Sequence, residues 1–136
     1  MNINWKPTYI PGDLVYNHKG EVIRITSSYL KGTRLFYYKT DEIGGSIGCI
    51  LEEALKPIPL TPEILEKNGW KKKMYCDWCH YLPIEGNILY LSKGIGIDGA
   101  FSVGVGQGMS YIASISFVHQ LQHLLFSLNI NYEMEV

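Results

Sequence analysis

Two groups of residues in this chain have the types and spacing to do chemistry. They are His119 and His123, four apart, and the run Cys76-Asp77-Trp78-Cys79-His80. On a helix, H-x-x-x-H puts two imidazoles on one face, as in zinc proteases. In those enzymes a glutamate follows the first histidine and takes the proton from metal-bound water. Here that position is Gln120, which cannot ionise, and no third ligand is evident. The C-x-x-C-H run matches the c-type haem pattern, in which the thiols add to the vinyl groups and His80 ligates iron. That attachment needs an exported chain, and no export signal is read here, so two free thiols on a strand or hairpin are expected. Cys76 and Cys79 with His119 and His123 would also suit tetrahedral zinc. The 39 residues between the two pairs far exceed a compact finger, so zinc at these four stands as an alternative and no metal site is assigned.

The remaining motifs fail in context. Gly94-Ile95-Gly96-Ile97-Asp98-Gly99 matches G-x-G-x-x-G, but a strand-like Ala100–Val105 follows where a dinucleotide site needs a helix. Gly104-x-Gly106-x-Gly108 lacks the Lys-Ser/Thr of a P-loop. The acidic pairs Asp41-Glu42 and Glu52-Glu53 are sequence neighbours, which point to opposite sides of a strand. No serine or cysteine stands in a nucleophile elbow. No catalytic residue and no cofactor are therefore expected.

Binding surfaces are better represented. Tyr16, Tyr37 and Tyr38, with Arg24, Lys31, Arg34 and Lys39, can form an aromatic and basic sheet face. Tyr16, Arg24, Arg34 and Tyr37 are its principal candidates, to stack bases or read a peptide. On a 3.6-residue wheel Phe117, Val118, Leu121, Leu124, Leu125 and Leu128 share one apolar face. His119 and His123 fall away from it, with Phe126 between His119 and Gln122, so these three form a second candidate contact surface. Phe126 could instead be covered by residues 132–136 returning as an edge strand. Residues 1–73 carry 11 Lys and Arg against 8 Asp and Glu, and residues 74–136 carry 1 against 5. A surplus of three cations falls well short of the dense basic surface typical of phosphate-backbone binding. Nucleic acid is a possible partner, and a protein is the expected one.

These residues need elements to position them. Residues 1–58 read as five short strands punctuated by Asn17-His18-Lys19-Gly20, Lys31-Gly32 and Gly44-Gly45, with Glu52-Glu53-Ala54 as one helical turn before the last. That pattern predicts a small SH3-like barrel. Thr61-Pro62-Glu63 opens a short connector helix, closed by Asn68-Gly69. Strands are expected over residues 72–81, 87–92, 100–105 and 111–114, antiparallel because their gaps are too short for parallel crossovers. An amphipathic helix over residues 116–129 then covers that sheet, each buried side chain contributing roughly 1.5–3 kcal/mol before entropy. The expectation is an α+β chain divided at Pro57-Ile58-Pro59 into residues 1–58 and 59–136.

With 136 residues, 46% hydrophobic and 18% charged, the chain has the composition of a folded protein. No apolar run reaches the ~20 residues of a membrane span, no secretory signal is read at the start, and three cysteines fit a disulfide framework poorly. A cytoplasmic location without membrane contact is the expectation. The segments Ile58-Pro59-Leu60-Thr61-Pro62-Glu63-Ile64-Leu65-Glu66-Lys67-Asn68-Gly69-Trp70 and Val118-His119-Gln120-Leu121-Gln122-His123-Leu124, with the tail Glu133-Met134-Glu135-Val136, resemble a family of small uncharacterised proteins. That family comes from gut bacteria of the Bacteroides group and their phages or mobile elements. The resemblance implies a phage or mobile-element setting and carries no activity onto residues here.

Overall fold

A computed structural model of the chain describes residues 8–31, 35–41, 50–74, 79–93, 100–106 and 110–136, with the backbone alone at 30–31 and 35–37. The chain is an α+β protein, with two five-stranded antiparallel sheets among the described residues. The chain divides into Met1–Ile58 and Pro59–Val136.

The first unit holds β1 (Leu14–Tyr16), β2 (Val22–Lys31), β3 (Leu35–Thr40), β4 (Ile50–Leu51) and β5 (Lys56–Pro57), in the order β4-β3-β2-β1-β5. Side-chain oxygens hold the turn between β1 and β2. Asn17, itself buried, accepts the Lys19 and Glu21 N–H groups at 2.9 Å through Oδ1. Asp13 accepts the Ile10 N–H at 2.8 Å, so its burial costs no unmet hydrogen bond. A single 3-10 turn, Glu52–Ala54, precedes β5. The core is Tyr9, Val15, Ile23, Ile25, Tyr38 and Leu55, with Ile50 packed against it.

β2 contains a one-residue bulge. Ile25 pairs with Thr40, but Ser27 pairs with Lys39, leaving Thr26 as the extra residue. Before it, Ile23 and Ile25 point inward while Val22 is 45% exposed. After it the alternation is reversed, so Ser28 lies opposite the buried Tyr38, and Tyr29 emerges at 41% exposure.

The second unit begins with α1 (Pro62–Lys67). Thr61 Oγ1 accepts the Ile64 N–H at 3.2 Å, and Gly69, at φ +88, takes the left-handed conformation just beyond its end. Then come β6 (Lys71–Lys72), β7 (Cys79–Ile84), β8 (Asn87–Lys93), β9 (Phe101–Val105) and β10 (Ser110–Ile115), in the order β10-β9-β8-β7-β6. The single strand expected over residues 72–81 is instead the pair β6 and β7, antiparallel to one another. Inward positions read His80, Leu89, Leu91, Phe101, Val103 and Ile115, all buried.

α2 spans Val118–Ser127. Its buried residues are Val118, His119, Leu121, Gln122 and Leu125, while Leu124 is half-buried and Leu128 is 39% exposed. Relative to the wheel, the buried face is rotated toward His119 and Gln122 by roughly a quarter turn. The returning tail meets this side at Gln122 and Phe126. Gln122 Nε2 donates to the Tyr132 carbonyl at 3.3 Å, and the Phe126 and Tyr132 rings meet edge-on at 5.1 Å. The tail returns as irregular chain and not as a strand. Asn68 clasps Glu135 with two bonds, donating to its carbonyl at 2.7 Å and accepting its N–H at 2.8 Å, and Met134 is buried.

Candidate functional site

The residues with catalytic spacing are built into the fold. Gln120, where a metalloprotease has its glutamate, closes the start of α2. Its Oε1 accepts the N–H groups of Ser116 at 2.7 Å and Phe117 at 3.1 Å, satisfying donors at the helix start. His119 is only 6% exposed, stacks on Phe117 at 5.9 Å and meets His123 edge-on at 5.5 Å. It does not face outward as the wheel implies, because the buried stripe includes it. His123 is half-buried and Phe126 is 57% exposed, though Tyr132 covers one edge of its ring.

Cys76 lies outside the described residues, as do the glycines at 94–99. Cys79 is buried and accepts from Ser92 Oγ at 3.5 Å. No three metal-binding side chains gather among the described residues, so Cys79, His119 and His123 do not converge. His80 is 1% exposed, its Nε2 3.7 Å from Glu66 Oε1, and neither ring nitrogen has a hydrogen-bond partner among the described residues.

The acidic pairs are structural where they can be seen. Glu52 Oε1 accepts the Tyr38 hydroxyl at 2.6 Å and the Thr8 N–H at 3.3 Å, while Asp41 Oδ1 accepts the Arg24 N–H at 2.8 Å. Tyr38 is completely buried, edge-on to Tyr9 at 5.5 Å. It therefore belongs to the core and not to a binding face. Burial, then the Glu52 carboxylate, pushes both phenols up, Tyr9 to about 12 with a smaller contribution from Asp13.

What remains is the outer face of the first sheet. Tyr16 pairs with Val22 and Leu14 with Arg24, so Tyr16, Val22 and Arg24 stand on the side opposite Ile23 and Ile25. Tyr16 and Arg24 are half-buried, and Arg34 lies outside the described residues. The bulge brings Tyr29 to the same side. Tyr29 pairs with Tyr37, and Tyr37 with Leu51, giving one cross-strand row. Leu51 is 39% exposed, and Lys39 Nζ sits 5.5 Å from the Tyr29 ring centroid. Tyr29 escapes the sequence reading because strict alternation from Ile23 and Ile25 buries it.

The second sheet has a comparable outer row, Lys71, Tyr81, Tyr90, Gly104 and Tyr111, read across β6 to β10. Lys73 Nζ lies 5.4 Å from the Tyr90 ring, and Tyr111 is 65% exposed. Alternation of the tyrosines with Leu82, Leu89 and Leu91 is the signal that marks this row. No described helix is long and apolar enough to cross a membrane. No protein-family model, curated protein or solved structure matches the chain.

Proposed function

We propose that this chain is a non-enzymatic binding or adaptor module that engages a protein partner through the outer face of its first sheet. The observation that carries the reading is the exposure of Tyr29 and Leu51, joined in backbone register through Tyr37 with Lys39 beside Tyr29, where the described residues of catalytic type are used for packing and capping. An exposed aromatic and aliphatic pair next to a cation suits an apolar side chain flanked by a carboxylate. The first unit is taken as an SH3-like barrel. Its strand order, the 3-10 turn before β5 and the bulged, ten-residue β2 support that assignment, although no β4–β5 pairing closes the ladder among the described residues. In the second unit, α2 is taken as a lid on the inward side of the sheet, supported by the buried Leu121 and Leu125 and the buried Leu89, Leu91 and Val103. An intracellular phage or mobile-element setting rests on the family resemblance and the odd cysteine count.

A nucleic-acid-associated role is the second reading, favoured by a lysine poised over a tyrosine ring on this face. Zinc held by Cys76, Cys79, His119 and His123 has less support, since its three described members do not gather. The test is capture from lysate of the producing cell on wild type and on a Tyr29→Ser/Leu51→Ser variant with unchanged circular dichroism. The expected result is one retained protein whose binding drops roughly tenfold or more in the variant, a loss of about 1.4 kcal/mol. Retention of single-stranded nucleic acid that collapses with added salt, with no protein retained, supports the second reading instead.

A further inference from the structure

We infer that the returning tail, residues 131–136, is a releasable strap on a peptide site framed by α1 and α2, which on release takes an extended segment of another protein in its place. The tail is held as a bound peptide is held, and not as a strand or helix of the fold. Its exposure alternates: Tyr132 and Val136 are half-buried and Met134 is 4% exposed, while Asn131, Glu133 and Glu135 are exposed. A period of two is that of an extended chain laid against a surface along one face. Among the described residues no backbone–backbone hydrogen bond ties residues 131–136 to the fold. Side chains of the two helices hold it instead. Gln122 Nε2 reaches the Tyr132 carbonyl, Asn68 takes both backbone groups of Glu135, and Lys67 Nζ donates to the Val136 carbonyl at 3.2 Å.

The site is assembled without the strap. Asn68 Nδ2 also donates to the Ile64 carbonyl at 2.7 Å, so its own helix orients the amide for the two-bond clasp. α2 is closed ahead of the strap. Asn129, at φ +58, turns the chain out of the helix, and the Asn129 and Ile130 N–H groups donate back to the Phe126 and Leu125 carbonyls at 3.0 and 2.8 Å. Detaching residues 131–136 therefore breaks the side-chain clasps and uncovers the seat of Met134, but no helix or sheet bond. The clasp reads only backbone at Glu135, so selectivity comes from the alternate side chains. The ligand is accordingly an extended segment with a long, unbranched apolar side chain directly before the clasped residue. Apolar residues flank that side chain two positions to either side, and the clasped residue is not proline, since its N–H is needed. The tethered strap opposes such a ligand at an effective concentration on the order of millimolar, so weakening the strap is what opens the site.

A labelled peptide of residues 130–136, titrated onto the full chain, tests this. Met134→Ser removes the buried anchor of the strap, and Glu135→Pro removes only an N–H that Asn68 accepts. Each variant, with unchanged circular dichroism, should bind the peptide roughly tenfold or more tightly than wild type does, because its own strap opposes less. Adding Asn68→Ala to either should undo that gain, and a peptide carrying the Met134→Ser change should not bind. Folded variants that bind no more peptide than wild type overturn the inference. So does peptide binding indifferent to Asn68→Ala, or loss of fold in both variants, which makes the tail an element of the core. Sedimentation showing a dimer with tails exchanged between copies overturns the intramolecular strap as well. Tyr29→Ser/Leu51→Ser should leave peptide binding unchanged, so this inference and the first-sheet reading fail separately.

Discussion

Gln120 shows how a residue in a catalytic position can be explained by backbone chemistry alone. Its side-chain oxygen takes two N–H groups at the start of α2, so Gln120→Ala should destabilise the fold by about 1 kcal/mol, the usual effect of losing a helix cap. Gln120→Glu, which keeps an acceptor, should retain most of that; urea unfolding measures both. Tyr9 and Tyr38 make a second residue-scale prediction. Burial beside Glu52 makes the folded state hold these phenolic protons more tightly than the unfolded state, where the ordinary value is 10.0. The contribution of each is therefore intact below pH 10 and is lost as pH rises through its raised folded-state value, about 12 for Tyr9. Alkaline unfolding curves should show that loss, and Tyr9→Phe should reduce its slope. Histidine spacing and the replaced glutamate were legible in the sequence. The burial of His119 and Tyr38 was not, and for Tyr38 it comes with partners distant along the chain, the Tyr9 ring and the Glu52 carboxylate.

At the scale of elements, α1 was legible from end to end, since Thr61, Pro62 and Gly69 each act locally. The fate of β2 was not. A single extra residue at Thr26 reverses every side chain after it, and no residue type announces the bulge. The rotation of α2 has a similar origin: the leucine stripe fixes an approximate face, and the returning tail takes a hydrogen bond from the buried Gln122. The tail itself hangs on Asn68, whose amide makes both bonds to the Glu135 backbone. Asn68→Ala should therefore leave the sheets intact but release residues 132–136, read as faster amide exchange at Glu135 and greater protease sensitivity at the tail. Unchanged exchange there would mean that Met134, Tyr132 and the Lys67 bond to the Val136 carbonyl hold the tail without Asn68.

For the whole molecule, composition and turn spacing indicated an α+β chain, and the two sheets follow from local punctuation by Gly, Asn and Pro. The presented surface was only half legible. Tyr16 and Arg24 are candidates by residue type, and the register is what sets them on one side and adds Tyr29 and Leu51. The central claim is that this side receives a protein partner. Hydroxyl-radical footprinting of the captured complex against the free chain tests it most directly. Tyr29 and Leu51 should lose most of their labelling in the complex while Phe126 keeps its own. Tyr29 and Leu51 labelled equally in both states, with protection elsewhere, would contradict the claim.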